Sequence, residues 1–254
     1  FNSATGGNGI GGYDDKMPTA WEETWGFGMG TGIDMPKGVS TSMNVQYSTP
    51  RVAGIMIKAA VAPGSNNGAQ VNDKAVSGDN STYKSSGYDL VADINPSFGL
   101  DALSGLNIFV GGSHSDTHKE HSLSKGNTGD HEEGVAGATF AYGPVSVGYQ
   151  RSIEMTGLET AGQVEYYQNN IFGISFNIND NLSISYGEVE STKHLQGSGT
   201  TDKRIEMDAE SIQIAYTMGG MSLKIAEGEV TNASYSSASS ADHDGRTIAL
   251  SLAF

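Results

Sequence analysis

The chain has 254 residues, no Cys, and 29 Asp and Glu against 14 Lys and Arg, for a formal net charge of −15. Such an excess of carboxylates repels phosphates and excludes nucleic acid as a partner, while it enriches cations in any cavity the acids line. No apolar run approaches the roughly 18 residues of a membrane-spanning helix, and 35 Gly weigh against a helical protein, since each costs about 1 kcal/mol in a helix relative to Ala. Strands remain possible as membrane-crossing elements, because a barrel strand needs only about 9–11 residues and gives no hydropathy peak. The absence of Cys is compatible with a periplasm-facing or surface protein and also with a cytoplasmic one. Phe1 is not an initiator Met and no basic, apolar signal segment follows it, so the sequence reads as processed or truncated.

Residues 1–41 lack a strand pattern. A Gly-, Ser- and Asn-rich stretch leads into Asp14-Asp15-Lys16-Met17-Pro18-Thr19-Ala20-Trp21-Glu22-Glu23-Thr24-Trp25, which holds both Trp of the chain. Pro18 at a first-turn position, Thr19 as a cap and Glu22 three residues later predict a short helix here. Trp25, Phe27 and Met29 offer the start of a strand within an otherwise irregular segment.

From residue 42 the pattern turns to period two. Met43, Val45 and Tyr47 alternate with Asn44, Gln46 and Ser48 before the Thr49-Pro50-Arg51 turn. Ile55, Ile57, Ala59 and Val61 share a face opposite Met56, Lys58 and Ala60. After a polar loop, Tyr88, Leu90, Ala92 and Ile94 alternate with Asp89, Val91 and Asp93. Leu106, Ile108 and Val110 begin the next strand, which ends in a second polar loop, His114 to Glu133. Ala136 to Tyr142 and Val145 to Tyr149 flank Gly143-Pro144. Phe172 to Ile178 and Leu182 to Tyr186 flank Asp180-Asn181. Ile212 to Met218 and Met221 to Ile225 flank Gly219-Gly220. A Ser-rich loop leads to Ile248, Leu250, Leu252 and Phe254, alternating with small or polar residues to the end.

That makes about eleven strands, with short turns alternating with long polar loops. The expected fold is all-β, with residues 1–41 as a loop and residues 42–254 as the wall. Asn44, Gln46, Lys58, Asp89, Asp93, Gln150, Asn177 and Lys224 suit a wet lumen, while the opposite face is apolar, which inverts the arrangement of a soluble sheet. Tyr142, Tyr149, Tyr186 and Tyr216 read as an interfacial aromatic girdle. A soluble β-sandwich also alternates and remains the competing fold. An even strand count is required if both termini lie at the short-turn side. Either Trp25–Gly30 adds a twelfth strand or further strands precede Phe1, and sixteen is the number typical of aqueous porins.

The segment Met17 to Trp25, with the Gly-rich stretch after it and Met43 to Pro50, resembles the third loop and following strand of Gram-negative trimeric porins of the alphaproteobacterial type. The apolar terminal strand closing on Phe254 resembles the C-terminal signature of bacterial outer-membrane barrels. The resemblance covers residues 13–63 and the terminal strand, and the rest by architecture only. It implies a water-filled outer-membrane channel for small hydrophilic solutes, a homotrimer in a bilayer with lipopolysaccharide, no cofactor and no catalysis. It also implies a long loop folded into the barrel that carries acids facing a basic cluster. The wall strands that supply most basic residues in that family would lie upstream of Phe1.

On this reading Asp14, Asp15, Glu22 and Glu23 form the acidic side of the constriction and bias it toward cations, the alternative being ordinary solvated loop acids. Lys58 and Lys224 project to the lumen with Asp89 and Asp93, and Arg51 lies at the turn-side rim. Arg151 and Glu188 fall on the apolar face, where a mid-bilayer charge costs roughly 2–4 kcal/mol for Arg. They call for a position near the outer rim, a bulge or a neighbouring subunit, and Glu210 to Ile212 itself reads as a bulge. His114, His118, His121 and His131, among several acids, offer metal-ligand types without a compact spacing. Adjacent Ser113 and His114 would point to opposite faces, and His243 between Asp242 and Asp244 has no nucleophile, so no catalytic set is found. An adhesin-like surface barrel and a soluble carbohydrate-binding sandwich are the other functional classes.

Overall fold

A computed structural model describes residues 9–26, 29–39, 44–63, 84–96, 100–117, 129–197 and 203–253. Phe27, Met43, His118, His121 and the terminal Phe254 therefore lie outside the described residues. Eleven strands form: β1 (Val45–Ser48), β2 (Ile55–Ala62), β3 (Lys84–Ile94), β4 (Leu106–Thr117), β5 (His131–Tyr142), β6 (Val145–Met155), β7 (Val164–Asn179), β8 (Leu182–Leu195), β9 (Lys203–Met218), β10 (Met221–Thr231) and β11 (His243–Leu252). They make one antiparallel sheet in sequence order, β1 through β11. A sandwich needs two packed sheets, so that alternative falls. Among the described residues β1 pairs only with β2 and β11 only with β10. No helix here is long and apolar enough to cross a membrane, which says nothing of crossing by strands.

The two faces of the sheet are inverted relative to a soluble protein. Val45, Tyr47, Leu90, Ile212, Ile248 and Leu250 are each more than half exposed, while Gln150, Asn169 and Gln213 are fully buried. Residues 9–26 and 29–39 of the chain itself lie across the polar face from β3 to β11. Their apolar side chains fill the gaps: Ile10 and Tyr13 pack with Val91, Phe109 and Val135, Met35 with Ile171 and Val189, and Val39 with Ala60 and Ala62.

Register is continuous through Glu210, Ser211 and Ile212 against both β8 and β10, so the bulge expected there is absent. The register shifts among the described strands fall elsewhere, at Lys84/Gly87, Val164/Tyr166 and Asn177/Asn179. Continuity also removes the bulge explanation for Arg151 and Glu188, which face outward with their own pairing intact. Arg151 donates to Gln168 Oε1 at 2.7 Å, and Glu188 accepts from the Tyr186 hydroxyl at 3.3 Å. Trp25, Gly26, Met29 and Gly30 are not in a strand, so these residues give no twelfth.

Candidate functional site: the segment across the polar face

The segment starts with a 3-10 turn, Ile10–Tyr13. The helix expected at Pro18–Trp25 does not form. The reason lies in where the backbone groups go. Ala20 N–H donates to Ser185 Oγ at 2.8 Å, and Trp21 and Glu22 N–H both donate to Gln213 Oε1 at 3.0 and 3.2 Å. Gln213 Nε2 returns a bond to the Glu22 carbonyl at 2.8 Å. Wall side chains thus take the donors and acceptors that a helix would bond internally.

The segment makes an outgoing and a returning leg. The outgoing leg, residues 10–26, runs over Gly148 of β6, Gly173 of β7 and Gly187 of β8, which are directly paired neighbours across three strands. A Cβ at Gly148 would stand 2.9 Å from Met17 Sδ and Pro18 Cδ, and one at Gly173 3.0 Å from Met17 Cβ and the Pro18 carbonyl. A Cβ at Gly187 would collide with Thr24 Oγ1. The glycines form a trough that lets the leg lie flat on the wall. Near β10 and β11, Met29 passes over Gly228 and Gly245. The returning leg, residues 29–39, is fixed by Ser234 N–H to the Thr31 carbonyl at 2.7 Å, Asn169 Nδ2 to the Asp34 carbonyl at 2.8 Å, and Gly38 N–H to Glu133 Oε2 at 2.6 Å.

Both ends meet at one carboxylate. Asp89 accepts from Ile10 N–H at 3.1 Å and from Val39 N–H at 2.9 and 3.0 Å on its two oxygens. Asp93 accepts from the Tyr13 hydroxyl at 2.7 Å and pairs with Arg51 Nη2 at 2.6 Å. Both acids face inward as expected of lumen residues, but they are 2% and 8% exposed and hold the segment rather than face open water. Their facing was legible from alternation; the segment that covers them was not.

The four acids of the segment have unequal surroundings. Asp15 hydrogen-bonds the carboxyls of both Asp14 and Glu23, and Glu22 stands beside Glu23 as a further negative charge. Burial and then the adjacent Asp15 charge raise Asp14 to about 7. The hydrogen bond to Asp15 and then burial raise Glu23 to about 7. Glu22 is exposed. Cations gather at the start of the same leg: Lys58 Nζ lies 4.8 Å and Lys16 Nζ 5.5 Å from the centre of the Tyr13 ring, with Arg51 bound to Asp93. Lys224 Nζ lies 5.9 Å from the Trp21 ring. Lys58 and Lys224 therefore both point inward onto aromatic residues of the segment.

The four tyrosines of the expected girdle all face outward but at two heights. Tyr142 and Tyr216 lie beside short turns, and Tyr142 stacks with Phe140 at 6.3 Å. Tyr149 and Tyr186 stand farther up the strands, where their hydroxyls reach Asn170 Oδ1 at 3.2 Å and Glu210 Oε2 at 2.8 Å. His114 and Asp116 lie on β4, and His131, Glu132 and Glu133 on β5, so these are strand residues rather than loop residues. Ser113 is buried on the inner face and His114 is on the outer, as their adjacency predicts.

The chain matches no protein-family model and no curated protein. Its structure is similar to that of Salmonella typhi OmpF, determined in complex with daunomycin, with a TM-score of 0.61 and 10% identity over 85% of this chain and 62% of that one. It is also similar to in-vitro folded OmpT, an outer membrane protein of Vibrio cholerae, with a TM-score of 0.51 and 12% identity over 91% of this chain and 71% of that one. The fold is that of an outer-membrane β-barrel. The inverted faces described above are the physical counterpart of that likeness, since lipid takes the place of a protein core on the apolar side. The chain spans 62% of the length of that OmpF chain.

Proposed function

We propose that this chain forms wall and constriction of an outer-membrane porin, a water-filled channel for passive diffusion of small hydrophilic solutes and ions, with a preference for cations. What supports the reading is the segment across the polar face, which carries Asp14, Asp15, Glu22 and Glu23 over a wall whose other face is apolar. A passive channel needs no bond-making residues. Its selectivity comes from pore width and from carboxylates that raise local cation occupancy. Among the described residues β1 pairs only with β2 and β11 only with β10, and a strand edge in a bilayer requires a partner strand because no water is present there to satisfy it. A sixteen-strand closed wall, assembled as a homotrimer among lipid and lipopolysaccharide in the manner of the alphaproteobacterial porins, is the proposed intact form.

The test is reconstitution of the full-length protein in a planar bilayer under a salt gradient. Stepwise conductance with a cation-selective reversal potential is expected. The preference should be strong at about 10 mM salt, where the Debye length is about 30 Å, and weak at 1 M, where it is about 3 Å. Joint replacement by Asp14→Asn, Asp15→Asn, Glu22→Gln and Glu23→Gln should move the low-salt reversal potential toward zero. No conductance steps at all would overturn the channel reading in favour of a surface-binding barrel. Steps with an unmoved reversal potential in the fourfold variant would overturn the site assignment alone.

A further inference from the structure

Where the returning leg rejoins the wall, β5 and β6 bring together three buried groups that the channel reading does not use. His131 and Glu133 are successive inward residues of β5, and Glu154 of β6 is the direct cross-strand partner of Glu133. His131 Nε2 lies 3.2 Å from Glu133 Oε1 and 3.5 Å from Glu154 Oε1. The three side chains are 3%, 2% and 1% exposed. Like charges directly opposite on paired strands destabilise a sheet, and burial magnifies the effect. A divalent cation bound between the two carboxylates would offset that repulsion.

The spacing fits such an ion. Ligands about 2.0–2.1 Å from a tetrahedral metal stand about 3.4 Å apart, and the two imidazole-to-carboxylate separations, 3.2 and 3.5 Å, bracket that edge. The donor set, one imidazole nitrogen and two carboxylates, suits zinc and other first-row divalent ions better than magnesium or calcium. We propose that His131 Nε2, Glu133 Oε1 and Glu154 Oε1 form a three-ligand site for a divalent transition-metal ion, with water completing the coordination. Glu133 also accepts the backbone N–H groups of Lys37 at 3.2 Å and Gly38 at 2.6 Å. These bonds orient the carboxylate as outer partners of metal ligands commonly do, and they tie the ion to the root of the returning leg. Occupancy would hold that leg against β5 and β6, so the site links metal supply to the rigidity of the segment.

A second group, His114, Asp116 and Asp130, lies on the outer face of the adjoining β4–β5 pair and is far more exposed, which makes it the natural control. The folded chain is freed of metal with a chelator, titrated calorimetrically with zinc, desalted and assayed for retained metal; none of these readouts depends on whether the protein conducts. One zinc per chain is expected. Glu154→Gln, nearly the same shape, and His131→Ala should each weaken binding by at least about tenfold, the loss that even an outer partner of a ligand causes, while His114→Ala leaves it unchanged. Retention of strand signal in circular dichroism keeps Glu154→Gln interpretable if His131→Ala fails to fold. No zinc retained by the unmodified chain would overturn the proposal and leave the cluster an ion pair. So would zinc that is lost with His114→Ala and kept with Glu154→Gln.

Discussion

The two legs of the segment lie on the same wall and are held by different chemistry. Beyond its root, where Asp89 and Asp93 accept from Ile10 N–H and the Tyr13 hydroxyl, the outgoing leg is fixed by neutral groups, Ser185, Gln150 and Gln213, and by the glycine trough. Its own carboxylates are left to one another and to the lumen. The returning leg is fixed by wall carboxylates, Glu133 and Asp89, accepting its backbone N–H groups, and by the packing of Met35 and Val39. The legs also differ in height: Gly148 and Ser185 each lie four residues past a short turn, whereas Glu133 lies ten before one. At about 3.3 Å per residue, that separates the legs by well over a turn's width along the strands. Charge used to anchor a segment is lost to solutes; charge left on a segment anchored by neutral groups stays available. The division explains how an acidic wall can bind an acidic segment.

Asp89 accepts backbone N–H bonds from both legs, so its loss should have the largest effect. Asp89→Ala leaves the buried N–H groups of Ile10 and Val39 without this acceptor, and bonds to a charged group are worth about 1.5–3 kcal/mol each. A loss of roughly 3–5 kcal/mol is expected from urea unfolding, with the segment released at both ends. Trp21 and Trp25 are the chain's two Trp, both on the outgoing leg, so their emission should shift to the red before the strands melt. An unshifted spectrum would show that the legs are held independently of Asp89.

Gly173→Val tests the trough without touching any hydrogen-bonding side chain. Its side chain would meet Met17 and Pro18, and overpacking of this kind costs about 1–3 kcal/mol. Because Val favours strands, β7 itself should persist. The expected result is a lifted outgoing leg: red-shifted Trp emission, an unchanged strand signal in circular dichroism, and noisier conductance. The same substitution at Gly112, where a Cβ meets among the described residues only the Glu133 carbonyl at 3.5 Å, should leave the Trp spectrum as it is.

The wall was legible in the sequence because period-two alternation survives any loop length. Each of the eleven expected strands formed, including short ones such as Val45–Ser48. Residues 10–39 were legible as an acidic non-strand segment, but their conformation was not. Pro18, Thr19 and Glu22 carry real helix-start preferences, yet Gln213, nearly two hundred residues later, takes the bonds that would close the helix. The glycine trough was hidden for a related reason. Gly148, Gly173 and Gly187 look like ordinary interruptions until pairing brings them side by side, and each sits on the polar phase of its strand, which is the signal that could have marked them. Asp89 and Asp93 show the limit of alternation: it gives the facing of a side chain and not its covering.

Two smaller effects sharpen the contrast on the outgoing leg. Gln213→Leu removes the acceptor of Trp21 and Glu22 N–H and the donor to the Glu22 carbonyl. At about 0.5–1.5 kcal/mol per bond, roughly 2 kcal/mol is expected, less than for Asp89 because the bonds are neutral. A cost equal to that of Asp89→Ala would erase the distinction between neutral and charged anchoring.

The smallest effect is a titration confined to the outgoing leg. Asp14 and Glu23 both lie near 7, through burial and the neighbouring Asp15. Below that pH they are protonated and the segment carries less negative charge; above it they ionise. Cation preference at low salt should therefore rise between about pH 6 and pH 8. The stability sign is opposite. A carboxyl whose folded value is raised binds protons more readily folded than unfolded, so its contribution favours the fold at low pH and is lost as pH climbs from the ordinary carboxyl range through 7. Asp15→Asn removes the charge that raises both neighbours, and should move the selectivity transition to lower pH while leaving the returning leg intact. A transition that stays near 7 in Asp15→Asn would mean that burial alone sets it, and that the acids act singly rather than as a group.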